Sequence, residues 1–221
     1  MMKHICPLCA AEQTVFYHRD RCRNYFQCRY CHLVFVAPTD FLSIEQEKAE
    51  YDLHQNQVDD PAYRCFLSRL YEPLSTRLAP GSQGLDFGCG PGPALATMFE
   101  EAGYTMSLYD IFYQPALRVF ERRYDFISAT EVVEHLHRPG RELARLWDCL
   151  HPGGWLGVMT KLVCNPQAFA HWHYKNDLTH VSFFSIDCWQ WWARQQKAQL
   201  VFEGTDVILL RKIANENFRG L

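Results

Sequence analysis

The stretch Gly84-Leu85-Asp86-Phe87-Gly88-Cys89-Gly90-Pro91-Gly92 constrains the fold of this chain more than any other feature. An acidic residue near the end of an apolar run is followed by three glycines at alternate positions. Because glycine has no Cβ atom, its backbone can turn tightly and approach a ligand closely. Pro93 suits the first turn of a helix, whose free N–H groups would point at that ligand. The sequence therefore predicts a strand, a ligand-binding turn and a helix in immediate succession.

The glycine spacing separates two kinds of nucleotide-binding loop. Counted from Gly88, the dinucleotide pattern G-x-G-x-x-G requires a third glycine at position 93, which is a proline. The pattern that starts at Asp86 instead resembles motif I of the class I S-adenosylmethionine (SAM) dependent methyltransferases. The resemblance implies that Asp86 holds the loop and the SAM amino group, while Phe87, Gly88, Gly90 and Gly92 surround the methionine part. An ordinary strand-to-helix turn is the alternative.

A second acidic residue follows the next predicted strand, residues 105–109. Asp110 can accept hydrogen bonds from both ribose hydroxyls of a nucleoside at this place, with a helix cap or a surface carboxylate as the alternatives. Ile111 and Phe112 come directly after it and can pack on the adenine. Thr130, just after another predicted strand, completes the candidates for cofactor binding.

From about residue 80 the sequence alternates between strand-like and helix-like patterns, which is typical of a largely parallel α/β sheet. The predicted strands cover 84–88, 105–109, 124–129, 154–160, 199–203 and 206–211, and the predicted helices cover 93–102, 139–150 and 185–197. A Pro-Gly-Gly turn at 152–154, before an apolar strand, is a further resemblance to the methyltransferases. It implies a Rossmann-like sheet with flanking helices, and the resemblance covers about 130 residues.

Two C-x-x-C pairs stand near the N-terminus, Cys6 with Cys9 and Cys28 with Cys31. Two turns that each offer two thiolates predict a tetrahedral, structural Zn²⁺ site, and the arrangement resembles a zinc ribbon. His18, Cys22 and His32 are the residues that could replace one of these cysteines as a ligand. Four buried thiols without a metal are the alternative. So small a module cannot bury a sufficient apolar core, so we expect it to need the metal to fold.

Four segments follow from these patterns: a zinc ribbon at 1–37, a helical cap at 43–79, a methyltransferase domain at 80–213 and a C-terminal tail at 214–221. Within the cap, Ser43 can begin a helix that reaches about residue 55, and Asp60 followed by Pro61 begins another. In class I methyltransferases the segment before motif I often folds over SAM. Tyr51 and His54 are therefore candidates to face the site, with a solvated helix face as the alternative.

The charge distribution gives no global sign of nucleic-acid binding, because the net charge is only −3. Residues 1–36 hold five basic and two acidic residues, a balance of +3, which leaves −6 for the rest. No apolar run approaches the ~18 residues that cross a bilayer, and the first residues lack the apolar core of a signal peptide. We therefore expect a cytoplasmic protein without membrane insertion, whose ten cysteines are metal ligands or buried thiols.

Polar residues follow the strand 124–129, at the edge where open α/β sheets bind ligands. In a helical turn, Glu131, Glu134 and His135 would share one face. Two carboxylates and an imidazole can bind a hard divalent ion, or take the proton of a substrate hydroxyl. The long connection at 169–185 is rich in aromatic residues and histidines, and connections of this length usually have a function.

The Glu-x-x-Glu-His pattern, with a later histidine before an aromatic-rich helix, resembles the small-RNA 3′-terminal 2′-O-methyltransferases. That resemblance implies that Glu131, Glu134, His135 and His180 bind Mg²⁺ or Mn²⁺. Related methyltransferases carry Glu-His at this place without a metal, to orient the loop beneath the sulfonium, and this alternative stays open. Imidazole titrates near neutrality, so the candidate bases are His180 first, then His135, followed by His173 and His54.

Three functions remain for the chain, which as a whole resembles the ubiquinone-biosynthesis-methylase-like bacterial methyltransferases. The first is SAM-dependent methylation of a small or medium-sized acceptor, with O-methylation favoured. The second is methylation of RNA that is recognised through the basic zinc ribbon. The third is a non-enzymatic protein in which the ribbon and the SAM domain bind partners.

Overall fold

The computed structural model describes residues 4–53 and 57–213, so His54 and the tail at 214–221 lie outside the described residues. The strands are β1 (Thr14–Arg19), β2 (Asn24–Cys28), β3 (Val34–Val36), β4 (Gln83–Phe87), β5 (Thr105–Tyr109), β6 (Tyr124–Thr130), β7 (Leu150–Met159), β8 (Ser182–Phe183), β9 (Gln199–Glu203) and β10 (Val207–Arg211). The α-helices are α1 (Ile44–Tyr51), α2 (Pro61–Ser75), α3 (Ala94–Glu101), α4 (Pro139–Asp148), α5 (Pro166–Ala170) and α6 (Ile186–Gln196). Short 3₁₀ helices cover Pro38–Asp40, Leu117–Glu121, Val133–His135 and His173–Asn176. Within 4–53 and 57–213, no helix is long and apolar enough to cross a membrane.

Six strands form the central sheet, in the order β5-β4-β6-β7-β10-β9. Strands β5, β4, β6 and β7 are parallel, whereas β10 runs antiparallel to both β7 and β9. The predicted Rossmann-like α/β class is confirmed. The predicted turn at 152–154 is instead a bulge inside β7, because the pairing with β6 jumps from Leu150 to Trp155. Gly153 takes a positive φ of 87° there, which glycine adopts without strain.

The two faces of the central sheet are covered by different helices. Phe126 and Ile127 are consecutive in β6 and belong to separate buried clusters, so the clusters lie on opposite faces. On one face α2 approaches β7 closely, since a Cβ atom at Gly157 would lie 2.9 Å from Leu74. On the other face Trp189 of α6 is completely buried, as its place in the predicted helix 185–197 suggested.

The N-terminal residues form a second sheet, in the order β1-β2-β3-β8. Its fourth strand, β8, comes from the aromatic connection, and Val34 pairs with Phe183. The first cysteine turn also packs against α4. Gly140 donates a backbone hydrogen bond to the Pro7 carbonyl at 3.2 Å, and a Cβ atom at Gly140 would lie 2.1 Å from the Leu8 oxygen. The N-terminal sheet is therefore packed against the central domain through both β8 and α4.

Candidate functional site

A cavity of about 790 Å³ opens at the carboxyl ends of β4, β5 and β6, where ligands bind in open α/β sheets. Ten of the predicted site residues line it: Phe87, Gly88, Gly90, Asp110, Ile111, Thr130, Glu131, His135, His173 and His180. Asp86, Gly92 and Glu134 are not part of this lining. The volume lies in the range typical of small-molecule and cofactor sites.

The glycine loop forms one wall of the cavity. Gly88 and Gly90 take φ angles of 77° and 62°, which glycine adopts without strain. A Cβ atom at Gly88 would lie 2.4 Å from Val132, whereas one at Gly90 would meet nothing within 4 Å. The backbone at Gly90 is therefore open toward the cavity, and the loop fits the close approach of a cofactor such as SAM.

Asp86 lies beneath the loop and not in the cavity wall. Its Oδ1 accepts a hydrogen bond from the Ser128 hydroxyl at 2.7 Å, and the side chain is buried. Burial raises the pKa of Asp86 to about 6. The contact with Ser128 ties the end of β4 to the neighbouring strand β6, and the expected contact of Asp86 with the SAM amino group stays a prediction.

Asp110 organises the loop as well as lining the cavity. Its Oδ2 accepts a hydrogen bond from the Gly90 N–H at 3.0 Å, and its Oδ1 accepts from the N–H groups of Phe112 and Tyr113 at 2.8 and 3.1 Å. A carboxylate has about four lone-pair sites, so three are already used. At least one site is therefore left, and the expected binding of the ribose hydroxyls by Asp110 stays a prediction.

The predicted adenine end is open and aromatic. Ile111 is 67% exposed and lines the cavity together with Phe112. Tyr51 of α1 also lines the cavity, and its ring lies 5.6 Å from that of Phe112 and 5.2 Å from that of His135. The cap segment thus does face the site through Tyr51, whereas His54 lies outside the described residues.

At one end of the cavity, Glu131 lies in the wall and is joined through a tyrosine to the buried Glu134. Glu131 has a φ of 52°, a left-handed conformation that is uncommon for a residue with a side chain and often marks a functional site. Tyr174 places its hydroxyl 3.1 Å from Glu131 Oε2 and hydrogen-bonds Glu134 Oε1 as well. One hydroxyl has one proton, so both contacts are hydrogen bonds only when one glutamate is protonated and donates to the tyrosine oxygen.

The pKa values of this group agree with a shared proton. Burial raises the pKa of Glu134, and the charge of Glu131 raises it further. Burial also raises the pKa of Glu131. The pKa of Tyr174 is raised too, by its burial and by both carboxylates. When no cation lies beside Glu131 and Glu134, the two carboxyl groups therefore favour the state in which one of them is protonated.

His135 and His180 stand together at the same end, with their ring centroids 4.5 Å apart. Nδ1 of His180 lies 2.7 Å from the Tyr174 carbonyl oxygen, which can only accept, so Nδ1 carries the proton and Nε2 of the neutral ring is bare. Burial lowers the pKa of His180, although the Asp177 carboxylate opposes this. Asp177 Oδ2 lies 3.6 Å from Nε2, too far for a hydrogen bond. Nε2 is thus able to take a proton or to bind a metal.

The residues of the predicted divalent-metal site are only partly brought together. Ligand atoms of Glu134, His135 and His180 all lie within 4.8 Å of one another. Glu131 is not in this group, although its Oε2 and Glu134 Oε1 both contact the Tyr174 hydroxyl, so its part in a metal site stays a prediction. Within the described residues, Glu134 Oε2 is buried and has no hydrogen-bond partner. One carboxylate oxygen and two imidazoles fit a divalent transition metal.

His173 takes a different position from the other histidines. It is exposed at the mouth of the cavity, where its Nε2 lies 3.0 Å from Nζ of Lys161. Lys161 follows β7 closely and lies 5.2 Å from the centre of the Tyr174 ring. His173 therefore belongs to the rim, and His180 is better placed for proton transfer.

The four predicted zinc ligands meet in one cluster. Their sulfur atoms all lie within 4.8 Å of one another, with 3.4 Å between Cys6 and Cys31 and 3.5 Å between Cys9 and Cys28. Four thiolates at ~2.3 Å around a tetrahedral Zn²⁺ would be about 3.8 Å apart. The donor set and its spacing therefore fit zinc.

Sequence reasoning missed Tyr174 and Lys161. Tyr174 lies inside the aromatic connection, but no local pattern indicates that its hydroxyl meets two glutamates. Lys161 follows a strand end, which is the one signal that could have found it. Tyr63 and Phe66 of α2 also line the cavity, and both pack against a buried cluster of the central sheet.

Comparison with known proteins places the chain in a family. A family profile described as "methyltransferase domain" matches residues 57–201, about two thirds of the chain. The fold is shared with 1,6-didemethyltoxoflavin-N1-methyltransferase from Burkholderia thailandensis, solved with bound 1,6-didemethyltoxoflavin and S-adenosylhomocysteine, at 18% identity over 90% of this chain and 99% of that one, with a TM-score of 0.53.

A second solved structure is more distant. A SAM-dependent methyltransferase from Thermotoga maritima, described as a possible histamine N-methyltransferase, aligns at 15% identity over 76% of this chain and 96% of that one, with a TM-score of 0.41. No curated protein shows significant sequence similarity to the chain. The family match, together with the glycine loop and its cavity, means that this chain belongs to the methyltransferase-domain family and is a SAM-dependent methyltransferase.

Proposed function

We propose that the enzyme methylates a small or medium-sized acceptor, preferably at a hydroxyl oxygen. The observation that carries this proposal is the bare Nε2 of His180 beside His135 and Glu134, at the same cavity as the predicted cofactor-binding residues. A hydroxyl is a weak nucleophile until it loses its proton, and this cluster offers the acceptor for that proton. An amine that is already neutral would not need one.

Positioning and proton removal are the two tasks of the protein in such a transfer. Bound SAM supplies a methyl group that its sulfonium already activates, so orientation contributes most of the remaining rate. His180 takes the hydroxyl proton on Nε2, while the Tyr174 carbonyl holds its Nδ1–H and fixes the ring. Tyr174 and Glu131 form the wall next to this base.

A divalent ion on Glu134, His135 and His180 is a further part of the proposal. The buried Glu134 Oε2 without a partner supports it, because such a buried oxygen calls for a ligand. The ion would lower the pKa of a bound hydroxyl. If the ion is bound, His180 is one of its ligands. Glu131, which is not a ligand, is then the nearest residue that can accept the proton of the substrate hydroxyl.

Chelation distinguishes the two versions. With a metal, treatment with a mild chelator should abolish label transfer from SAM while binding of S-adenosylhomocysteine persists, and added Mn²⁺ or Mg²⁺ should restore transfer. Zinc content must be measured in the same samples, so that loss of a structural ion is not mistaken for loss of a catalytic one. Transfer that continues unchanged after chelation refutes the metal version and leaves His180 as the base.

Two observations support a small acceptor. The cavity has a volume of about 790 Å³, and its lining includes the cap residues Tyr51, Tyr63 and Phe66. The structural neighbour from Burkholderia thailandensis also holds a small molecule, 1,6-didemethyltoxoflavin.

An RNA acceptor is the second candidate. The observation in its favour is that Arg19, Arg21 and Arg29 of the N-terminal sheet are exposed. Phosphate contacts release counterions, so RNA binding through these residues should weaken steeply with salt. RNA binding that is absent, or that does not depend on salt, would exclude this function.

A zinc ion on Cys6, Cys9, Cys28 and Cys31 completes the proposal, in a structural role. The experiment that decides between acceptors is incubation with methyl-labelled SAM and an extract of the source organism, followed by separation of small molecules, RNA and protein. Label in the small-molecule fraction supports the leading proposal, label in RNA supports the second, and label in neither refutes both.

A further inference from the structure

A buried arginine of the N-terminal sheet connects that sheet to the catalytic end of the cavity. Arg23, which directly precedes β2, is 4% exposed. Its Nη1 donates to the carbonyl oxygens of Leu178 and His180, both at 2.9 Å. Its Nη2 donates to those of Lys175 and Asp177, at 2.8 and 3.1 Å. One guanidinium thus binds four carbonyl groups of the segment 175–180.

The guanidinium is itself held in place from its own side. Its Nη2 lies 3.3 Å from the Tyr25 hydroxyl, and its Cζ lies 5.4 Å from the centre of that ring. Tyr25 is fully buried and donates to Asp20 Oδ2 at 2.6 Å. Asp20 Oδ1 in turn accepts from the Arg23 backbone N–H at 2.8 Å. Tyr25 and Asp20 therefore hold the Arg23 guanidinium in one position, and the carbonyl groups of residues 175–180 bind to it there.

The segment that Arg23 binds also positions two residues of the proposed methyl transfer. Tyr174 and His180 stand at its two ends, and the Nδ1–H of His180 is bound within it by the Tyr174 carbonyl. Directly after it, the Val181 N–H donates to the Glu134 carbonyl at 2.8 Å, while the Val181 carbonyl accepts from the Val36 N–H at 3.0 Å. A shift of this segment would therefore move His180 and Tyr174 relative to Glu134.

We propose that Arg23 is a positioning residue for methyl transfer: its guanidinium fixes the backbone of residues 175–180 and so sets the places of Tyr174 and His180 at the cavity. This inference rests on the proposed function of His180. It explains why an N-terminal sheet that lines no part of the described cavity is joined to the catalytic segment. A lysine cannot replace the arginine, because an ammonium group has three donors on one atom and not a planar fork of two nitrogens.

The test compares Arg23→Lys with Arg194→Lys, a matched change at an exposed arginine of α6. Hydrogen–deuterium exchange of the free proteins is the readout that does not depend on the acceptor. In Arg23→Lys the amides of 178–183 should exchange at least about tenfold faster, while those of β4 and β6 stay within about twofold. Arg194→Lys should match the wild type throughout.

Binding and turnover separate positioning from general damage. Arg23→Lys should bind S-adenosylhomocysteine within about threefold of the wild type, and its rate of label transfer to the extract should fall about 10- to 100-fold, because small misplacement of reacting groups costs that much. Unchanged exchange in 178–183, or equal increases in 178–183 and in β4 and β6 with loss of binding, would overturn the inference. So would an unchanged transfer rate.

Two further measurements cover the cases in which Arg23→Lys does not fold or the wild type transfers no label. If Arg23→Lys does not fold, Tyr25→Phe keeps the buried ring and removes the hydroxyl next to Nη2, and faster exchange in 178–183 alone is again expected. If the wild type transfers no label, the proposed function fails, whereas the exchange experiment still decides whether Arg23 fixes the segment.

Discussion

The carboxylate of Asp86 lowers the stability of this fold at neutral pH, and replacement by asparagine is expected to raise it. Asp86 is 4% exposed beneath the glycine loop and accepts a hydrogen bond from Ser128. Burial raises its pKa from the usual 3.8 to about 6, and the Asp110 carboxylate adds to the effect. In Asp86→Asn the amide oxygen still accepts from Ser128, while the buried charge is gone.

The sign and size of the effect follow from proton linkage. A carboxyl group whose pKa is higher in the folded protein than in the unfolded chain binds its proton more tightly when folded, so the free energy of unfolding falls as the pH rises through this window. For a pKa that moves from 3.8 to about 6, the ionised group costs about 3 kcal/mol above pH 7, about 1.6 kcal/mol at pH 5 and about 0.6 kcal/mol at pH 4.

Urea unfolding of the wild type and of Asp86→Asn at pH 5, 6, 7 and 8 measures this difference. Packing differences between the two side chains do not change with pH, so the diagnostic quantity is the growth of the stability difference, by about 1.4 kcal/mol from pH 5 to pH 8. Asp59→Asn, at an exposed position, serves as the control and should show no such growth. A difference between wild type and Asp86→Asn that stays constant over this range would refute the reasoning.

Three other substitutions test the predicted cofactor loop, the proposed base and the cysteine cluster that is predicted to bind zinc. Gly88→Ala should lower the affinity for S-adenosylhomocysteine at least about tenfold in calorimetric titration, because its φ is positive and a Cβ atom would lie 2.4 Å from its neighbour, whereas Gly103→Ala, with a positive φ and open space, should not change it. His180→Ala should lower kcat by about 10²–10⁴-fold with little change in SAM affinity. Because burial lowers the pKa of His180 and a base must be deprotonated, wild-type kcat/KM should fall as the pH drops through a value below 6.5. Cys6→Ser should reduce zinc content and the melting temperature, whereas the exposed Cys22→Ser should reduce neither.

The α/β class of the catalytic domain could be predicted, because its signals are local. The alternation of strand-like and helix-like segments, and the spacing of Gly88 and Gly90, depend on neighbours along the chain. The contact of Asp86 with Ser128 could not be predicted in this way, because Ser128 lies on another strand.

The arrangement of the proposed catalytic residues was harder to predict, because it depends on contacts between residues that are distant in the sequence. Nothing near Arg23 indicates that its guanidinium binds carbonyl groups some 150 residues further along the chain. The helical turn does not begin at Glu131, whose backbone is left-handed, but at Val133. Tyr174 gains its importance from meeting both glutamates, which only the folded chain brings to it.

The pairing of β3 with β8 has a consequence for synthesis of the chain. Strand β3 ends at Val36, and its partner begins only at Ser182. At ~5–20 residues per second, a ribosome needs roughly 7 to 30 s to make the part between them. During that time the apolar edge of Val34–Val36 has no neighbour on one side, and such edges promote aggregation. A nascent chain of this protein therefore carries an unpaired apolar edge after the cysteine pairs have emerged and before β8 has been made.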